Sequence, residues 1–501
     1  MIYQCGTLDE LTTARPDGLQ EGDIAQVFGR NLPGDGSYVY RWIKNSTETA
    51  NGGTCVKTVS NLGRWKLVHN GTVDFRCFGV FGPETPADSA LDAMVKDASI
   101  HCIEAWDDLN FTCRHQFFRS NLTLDFHNRT VTAKGIESAP HNDPFSAVLH
   151  FSGRTDSIQK NLILSEPVQE LYDIFPVPNS EDFPVFSWWQ VSVNALSGRE
   201  EKEIDKLLMV TETIDGSHVR FNYKLGWTLE KGRILSYRRV YPVEDITVKN
   251  MDFWGNDGGE QSGAQPLAFE YAVRCDVRGI RAHHTYWPVL LRRHNTEYVT
   301  ERCSLLNPVE VVVGGTGYLT QQIHCLYGCV RDCTASNARH LNDFTGSAFC
   351  MVENCHCDGD FHGAFVTHGQ FEHDLTYVGN SGLLSFANSG PTWGGHAKRI
   401  TVIRHSGCWG IAFAKVTDLT LENVTIKKTE KYKECGTLLL NADGLQIRGC
   451  TADKLVLTQR SALSKRPNVV RDCHFEQEIE FVSEGSGAIW PETVILCENN
   501  R

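Results

Sequence analysis

From about residue 241 onward, apolar and polar residues alternate in short runs that are separated by turns rich in Gly, Asn, Asp and His. Runs such as "VEDITVKNMDFWG", "YAVRCDVRGIRAHH" and "FCMVENCHCDG" follow this pattern, and helical periodicity is nearly absent between them. An alternation of period two is typical of a β-strand with one buried face. The pattern therefore predicts a long series of short strands in this part of the chain.

Cysteine recurs at one position of the repeating unit. Cys333 and Cys355 are 22 positions apart, and Cys450 and Cys473 are 23 apart. A period in the low twenties built from short strands indicates a solenoid. We therefore predict a parallel β-helix in which equivalent residues of successive coils stack at about 4.8 Å. The 18 cysteines are expected to be buried free thiols, because no secretory signal is evident and disulfides are typical of secreted proteins.

The rest of the chain differs from this repeat and predicts four segments. Residues 1–72 form a small N-terminal module rich in Gly and Trp, expected to serve as a head or particle-attachment module. Residues 73–153 read as a strand, a Gly turn and an amphipathic helix that enters and caps the β-helix. Residues 154–240 are predicted to be an inserted β subdomain, and residues 241–501 are the β-helix coils.

Composition narrows the functional classes. The 501 residues carry a formal net charge of −13, and no cluster of Lys and Arg forms the basic face of a nucleic-acid binder. No run of about 18 apolar residues predicts a membrane span, and the N-terminus lacks the basic and apolar regions of a signal peptide. We expect a soluble protein made without a signal peptide, which can still act outside the cell that made it, for example as part of a virus particle.

The stretch "TVDFRCFGVFGPETPADSALDAMVKDA", followed by the coils, resembles the entry of the pectate-lyase-like superfamily of right-handed parallel β-helices. Gly79, Gly82, Asp88 and Ala90 fit the superfamily pattern, whereas Pro83 to Pro86 replace its acidic centre. The segment before it resembles the small N-terminal module of phage tail proteins. The resemblance implies an all-β, right-handed, single-stranded parallel β-helix of the phage tailspike type. It also implies a homotrimer that degrades a polysaccharide substrate, but no catalytic residue is carried over by motif.

Candidate catalytic residues cluster around "CHCDGDFHGAFVTHG", residues 355–369. They are Asp343, Asp358, Asp360, His362, His368 and Glu372. A glycoside hydrolase needs two carboxyl groups about 5–9.5 Å apart, and neighbouring coils supply such spacings. A lyase needs a base, here His284, His362 or His368, and a cation, here Arg292, Arg293 or Lys415. The alternative is an ordinary solvated turn, since Asp and Gly favour turns.

The candidate substrate-binding residues are aromatic or basic side chains expected on the same edge: His284, Tyr286, Trp287, Arg292, His294, Trp393 and Trp409. Zinc is disfavoured, because Cys355 and Cys357 alternate on one strand without a second ligand pair at zinc spacing. No cofactor is expected, although a calcium ion at Asp358 and Asp360 stays an alternative. Three functions remain open: a polysaccharide hydrolase, slightly favoured; a uronic-acid lyase or epimerase; and a non-catalytic glycan-binding or structural fibre.

Overall fold

The computed structural model describes residues 1–13, 18–59, 62–134, 136, 147–196, 201–255, 265–358, 363–386, 396–429, 435–459, 464–483 and 495–501. The N-terminal part forms a five-stranded sheet in the order β1-β2-β3-β5-β4. Trp42 and Trp65 pack together in its core with ring centroids 5.2 Å apart. The elements are β1 Ile2–Cys5, α1 Leu8–Thr13, β2 Ile24–Val27, β3 Tyr38–Ile43, β4 Cys55–Val56 and β5 Arg64–Leu67.

The next segment contains a helix, α2, that packs against the first coils. The helix α2 buries Leu91 and Met94 in the core that it shares with those coils. At its start, the Asp88 carboxylate accepts hydrogen bonds from the backbone N–H groups of Thr112 and Cys113. The elements are β6 Thr72–Asp74, a 3-10 helix Phe75–Phe78, α2 Asp88–Lys96, β7 Cys102–Glu104, β8 Leu109–Asn110, β9 His115–Phe117, β10 Leu122–Thr132 and β11 Leu149–Ser152.

An antiparallel six-stranded sheet, which we call the inserted sheet, interrupts the coils. Its strand order is β12-β17-β14-β15-β16-β13. Its apolar core continues into Leu326 and Ala348 of the later coils, so the inserted sheet is docked on the solenoid. The elements are β12 Arg154–Ile163, β13 Ile174–Pro176, a 3-10 helix Ser180–Asp182, β14 Trp188–Val193, β15 Asp205–Asp215, β16 His218–Phe221 and β17 Ile234–Tyr241.

The remaining strands are short and wind into coils. They are β18 Val243–Glu244, β19 Ile246–Trp254, β20 Leu267–Val273, β21 Asp276–Arg278, β22 Arg281–His283, β23 Leu290–Thr296, β24 Val299–Glu301, β25 Ser304–Leu306, β26 Tyr318–Ile323, β27 Cys329–Arg331, β28 Thr334–Ser336, β29 His340–Thr345, β30 Met351–Glu353, β31 His356–Cys357, β32 Phe365–Thr367, β33 Gln370–Val378, β34 Leu384–Phe386, β35 His396–Ile403, β36 Ser406–Gly407, β37 Trp409–Thr417, β38 Thr420–Glu422, β39 Thr425–Ile426, β40 Thr437–Asp443, β41 Gln446–Arg448, β42 Thr451–Ala452, β43 Lys454–Gln459, β44 Asn468–Arg471, β45 His474–Phe475, β46 Glu480–Ser483 and β47 Ile495–Glu498.

Each strand pairs in parallel with its equivalent in the next coil, which produces three ladders along the axis. Ladder A runs through β7, β21, β24, β27, β30 and β38 to β47. Ladder B runs through β8, β22, β25, β28 and β31 to β45. Ladder C runs through β9, β11, β20, β23, β26, β29, β32, β34 and β37 to β46. The long strands β10 and β19 contribute to both A and B.

Residues with positive φ turn the chain between ladders A and B. Asn250, Asn354, Gly379 and Asn423 occupy this corner in four of the coils, with φ between 49° and 66°. Asn and Gly tolerate the left-handed conformation better than other residues do. The recurrent Asn and Gly in the sequence repeat therefore mark the corners of the coils.

The cysteine column lies where the sequence predicts it. Arg331 pairs with Glu353, so Cys333 and Cys355, each two residues further on, occupy equivalent positions in adjacent coils. The backbone N–H of Cys303 points to Cys333 Sγ at 3.4 Å, which extends the column by one coil. The 18 cysteines form no disulfide with one another in the described part of the chain, and most of their side chains are buried. The column is a stack of small apolar side chains in the core.

Candidate functional site

Asp343 and His368 form an ion pair on the outer face of ladder C. Successive side chains of β29 point to opposite faces, and Phe344 belongs to the core, so its neighbour Asp343 points outward. His368 follows β32, the next strand of the ladder. Its Nε2 lies 3.0 and 2.9 Å from the two carboxylate oxygens of Asp343. Asp343 is fully covered, whereas the His368 side chain keeps 14% of its surface exposed. His368 is therefore the member of the pair that a ligand can reach.

The pair shifts the protonation of both groups. Burial acts to raise the pKa of Asp343, but the charge and hydrogen bonds of His368 outweigh it, so the pKa lies below its ordinary value. Burial acts to lower the pKa of His368, but Asp343 outweighs it and raises that pKa. The arrangement favours a carboxylate–imidazolium pair. A partly accessible imidazolium held by a buried carboxylate is suited to proton transfer.

Glu372 supports the turn that carries His368. Its Oε1 accepts hydrogen bonds from the backbone N–H groups of Gly346, at 3.0 Å, and His368, at 3.2 Å. Its side chain is fully buried, and Oε2 has no hydrogen-bond partner. Burial raises the pKa of Glu372, which favours the protonated form. Since no surface of Glu372 is exposed, the structure corrects its predicted role as a substrate-contacting acid to a positioning role.

Three further residues complete the surroundings of the pair. The Tyr318 and His340 rings lie 4.3 Å apart, and the Tyr318 hydroxyl accepts a hydrogen bond from the backbone N–H of Gly315 at 3.0 Å. Burial lowers the pKa of His340 to about 3, which keeps this ring neutral. The Arg339 charge acts on His368 and lowers its pKa, in opposition to Asp343. Tyr318 and Arg339 were not among the predicted site residues, because neither belongs to a repeated motif.

His294, predicted to bind substrate, lies instead at the seam between ladder C and the inserted sheet. Its Nε2 is 2.9 Å from Asp205 Oδ1 of β15. The ring stacks on Tyr271, at 5.0 Å, and on His324, at 5.3 Å. Only 5% of the His294 side chain is exposed. The structure therefore corrects the prediction: His294 contacts another part of the chain rather than a trough open to ligands.

Arg292, predicted as a binding cation, points into the core. It pairs with Phe269 and Gln322 on the inward face of ladder C and is fully buried. Its guanidinium lies over the ring of Tyr298 at 4.3 Å and donates a hydrogen bond to Asn295 Oδ1 at 3.2 Å. A buried side chain on the inward face cannot meet a polysaccharide, so Arg292 is removed from the site. Arg293, the next residue, points outward and forms an ion pair with Glu270.

The predicted aromatic contacts are largely covered. Tyr286 and Trp287 are 4% and 5% exposed and pack against each other at 5.1 Å. Both rings are buried and present no open face to a ligand, which corrects their predicted role. His284 is half-buried. Trp409 is half-buried and packs against Leu383, Cys408 and Cys435.

Asp358 is exposed and lies apart from the ion pair, after β31. Its carboxylate accepts hydrogen bonds from Ser336 Oγ at 2.9 Å and from the backbone N–H of Asn337 at 3.0 Å, as an ordinary turn residue does. Asp360, His362 and Trp393 lie outside the described residues, as does the side chain of Lys415. Their predicted roles remain predictions.

The described residues contain neither a metal-binding cluster nor a membrane-spanning helix. Among them, no group of three or more His, Cys, Asp or Glu side chains has the arrangement of a metal site. The calcium alternative involves Asp360 and therefore remains a prediction. No helix in the described part of the chain is long and apolar enough to cross a bilayer.

Comparison with known proteins identifies the class of fold. No protein-family model matches the chain, and no curated protein matches its sequence. The tailspike gp61 of Pseudomonas phage phi297 aligns over 83% of this chain and 76% of its own, with a TM-score of 0.57 and 14% identity. The tailspike gp54 of Acinetobacter baumannii bacteriophage AP22, solved in complex with an A. baumannii capsular saccharide, aligns over 79% of this chain and 73% of its own. Its TM-score is 0.51 and its identity 10%.

The chain thus has the right-handed parallel β-helix fold of phage tailspikes. The predicted all-β parallel β-helix is confirmed, as is its likeness in fold to phage tailspikes. At these identities the likeness concerns the fold, and function has to be argued from the site.

Proposed function

We propose that the protein binds and cleaves a bacterial surface or capsular polysaccharide, and that His368 is its proton-transferring group. The observation that carries this proposal is the Asp343–His368 pair, in which a fully buried carboxylate holds a partly accessible imidazolium on ladder C. The tailspike fold supports the substrate class, since one of the similar tailspikes was solved with a capsular saccharide.

In this proposal a glycosidic bond lies against the exposed edge of His368. The imidazolium donates its proton to the leaving oxygen, and Asp343 stabilises the charged ring before transfer and orients it afterwards. Glu372 holds the backbone N–H of His368 from inside, which limits the movement of the acid. Hydrolysis also requires a carboxylate that activates water or attacks carbon. Asp358 lies apart from the pair, so Asp360, outside the described residues, remains the predicted source of that carboxylate.

A lyase reaction is the second candidate, and the nearby charge of Arg339 favours it. A cation beside a histidine is the combination needed to stabilise the enolate of a uronate while a base removes the adjacent proton. In that case His368 acts in its neutral form. Ultraviolet absorbance of the products separates the two, because only elimination leaves an unsaturated sugar.

The test is depolymerisation of purified bacterial capsular and surface polysaccharides, followed as new reducing ends. We expect His368→Ala and Asp343→Asn to lose nearly all cleavage. His474→Ala, an exposed histidine on ladder B, is the matched control and should keep it. Full activity in both site variants would overturn the assignment of the site. Binding by the unmodified protein without any product would favour the non-catalytic alternative.

The homotrimer, the attachment of residues 1–72 to a virion, and the location in a virion tail belong to the same proposal. They rest on the tailspike fold. Light scattering tests the first, since a trimer of this 56.1 kDa chain has three times the mass of the monomer. A monomer mass would remove the trimer from the proposal.

A further inference from the structure

Two tryptophans differ from the others in their exposure. The chain has 11 tryptophans, of which Trp393 and Trp490 lie outside the described residues. Among the remainder, Trp106 and Trp254 are 40% and 41% exposed, whereas the others are buried or half-buried. Exposure of so large an apolar ring is unfavourable in water. Clustered exposure of this kind marks interaction surfaces.

Both exposed indoles rest on a histidine ring in the same way. Trp106 stacks on His127 with centroids 3.9 Å apart and an interplanar angle of 17°. Trp254 stacks on His283 at 4.4 Å and 14°. Stacking holds each indole in a defined orientation, so a ligand that packs on it has less side-chain entropy to overcome. The same device occurs twice in the described chain.

Both stacks lie beside ladder B, one near each end of its strands, whereas the Asp343–His368 pair lies on ladder C. Trp254 ends β19 in ladder B and is in register with His283 of β22. Trp106 follows β7, at the corner where the first coil passes from ladder A to ladder B. Trp254 lies two coils beyond Asn110, which follows Trp106 by four residues, so the two tryptophans are about 10 Å apart along the axis and are also separated along ladder B. Trp254 and Trp106 thus form a flank separate from the Asp343–His368 pair.

Hydrogen-bonding groups adjoin each ring. The Trp106 indole N–H donates to Glu104 Oε2 at 3.1 Å. In the second stack, His283 Nε2 lies 3.1 Å from Asp252 Oδ1. Arg281 lies next to Asp252, with its closest nitrogen 3.7 Å from the carboxylate, and keeps 52% of its side chain exposed. Each platform therefore combines a flat apolar ring with a carboxylate, and the second adds a guanidinium.

From this arrangement we infer that the Trp106–Trp254 flank is a glycan-holding surface that binds pyranose units of a polysaccharide outside the cleavage site. The apolar face of a sugar ring packs on an indole, its hydroxyls donate to Glu104 or Asp252, and an acidic sugar pairs with Arg281. The inference rests on the proposed function for the substrate class. A surface of this kind retains the long chain while one bond is cut at ladder C.

The experiment measures binding of an immobilised panel of purified bacterial capsular and surface polysaccharides. The background is His368→Ala, so that the glycan stays intact. Trp254→Ala and Trp106→Ala should each weaken binding about tenfold, and Trp254→Phe should restore most of the loss. Phe186→Ala is the control, because this ring on the inserted sheet is 75% exposed and lies outside the flank. It should leave the affinity unchanged.

A second readout uses 5-fluorotryptophan labelling, with the resonances of Trp106 and Trp254 assigned from the Trp→Phe variants. Both resonances should shift when a bound polysaccharide is titrated in, whereas those of the buried Trp42 and Trp65 should not. Unchanged affinity in both alanine variants overturns the inference. A loss of oligomer mass in those variants without a loss of affinity also overturns it, since the flank would then be a contact between copies of the chain.

The outcomes distinguish this inference from the proposed function. If the unmodified protein binds polysaccharide through the flank but cleaves none, the glycan-holding surface stands and the cleavage proposal fails. If the protein cleaves polysaccharide with no dependence on either tryptophan, cleavage stands and the surface is overturned. If the protein binds none of the panel, the surface is overturned as well.

Discussion

Ladder C carries two Asp–His pairs of equal length in different surroundings. Asp343 and His368 are 2.9 Å apart and both belong to the coils, whereas Asp205 and His294, also 2.9 Å apart, join the inserted sheet to the coils. His368 keeps 14% of its side chain exposed, and His294 keeps 5% and is stacked between two rings. The Asp343–His368 pair therefore provides an acid that a ligand can reach, whereas the Asp205–His294 pair is a buried contact between the inserted sheet and the coils. Exposure, rather than pairing, separates the two roles.

The largest expected effect is on kcat, and it tests whether His368 and His294 have different roles. His368→Ala should lower kcat about 10²- to 10⁴-fold, as loss of a general acid does. His294→Ala should leave kcat within a factor of a few while lowering the melting temperature. Both variants are compared on the same polysaccharide, and soluble yield is checked by gel filtration. A similar fall in kcat for His294→Ala at an unchanged melting temperature would contradict the comparison.

The second prediction concerns the buried Asp205–His294 pair. Asp205→Ala leaves a buried histidine without its carboxylate and should lower the free energy of unfolding by about 3–5 kcal/mol. The matched control is Asp215→Ala, which removes an exposed Asp–His pair of 3.0 Å on the same inserted sheet. That change should cost far less, because water screens an exposed pair. Thermal unfolding and limited proteolysis of the inserted sheet measure both, and equal losses would argue against a specific seam.

Gly346 lies next to residues that support both Asp–His pairs. Its φ is 57°, a β-carbon at this position would lie 2.6 Å from His324 Nδ1, and its N–H donates to Glu372. Gly346→Ala should therefore destabilise the protein by about 1–3 kcal/mol and lower activity as well, because Glu372 also holds the backbone of His368. Gly216→Ala, where the β-carbon meets open space, is the control. An unaffected melting temperature in Gly346→Ala would contradict this account.

The smallest expected effect is a difference in the pH dependence of kcat between the unmodified protein and Asp343→Asn. Asp343 raises the pKa of His368 above its ordinary value of about 6.5, so the acid form persists to higher pH and kcat should fall as pH rises through the raised pKa. In Asp343→Asn the residual activity should fall at lower pH, because the carboxylate no longer supports the proton. For the same reason the contribution of His368 to stability is fully present below about pH 6.5 and is lost as the pH rises from there through the raised pKa. Coincident profiles would show that Asp343 does not tune His368.

The sequence was sufficient for the architecture of the coils because that architecture is local and repeated. Cys333 and Cys355 stack since every coil adds nearly the same number of residues, and Asn250 or Asn423 turns a corner since its backbone tolerates positive φ. Alternation within each run decides which side chains face the core. The proximity of Asp343 and His368 follows from the same repeat.

The roles of several candidates depended on contacts that no repeat encodes. Arg292 and Arg293 are adjacent basic residues, and only the register of ladder C places the first inside and the second outside. His294 is covered because a sheet formed by residues far earlier in the chain docks on it. Glu372, four residues after the candidate acid His368, is fully buried. Periodicity thus determined the stacking of the coils, whereas burial of individual polar side chains was decided by long-range packing, which depends on segments that have no period in common.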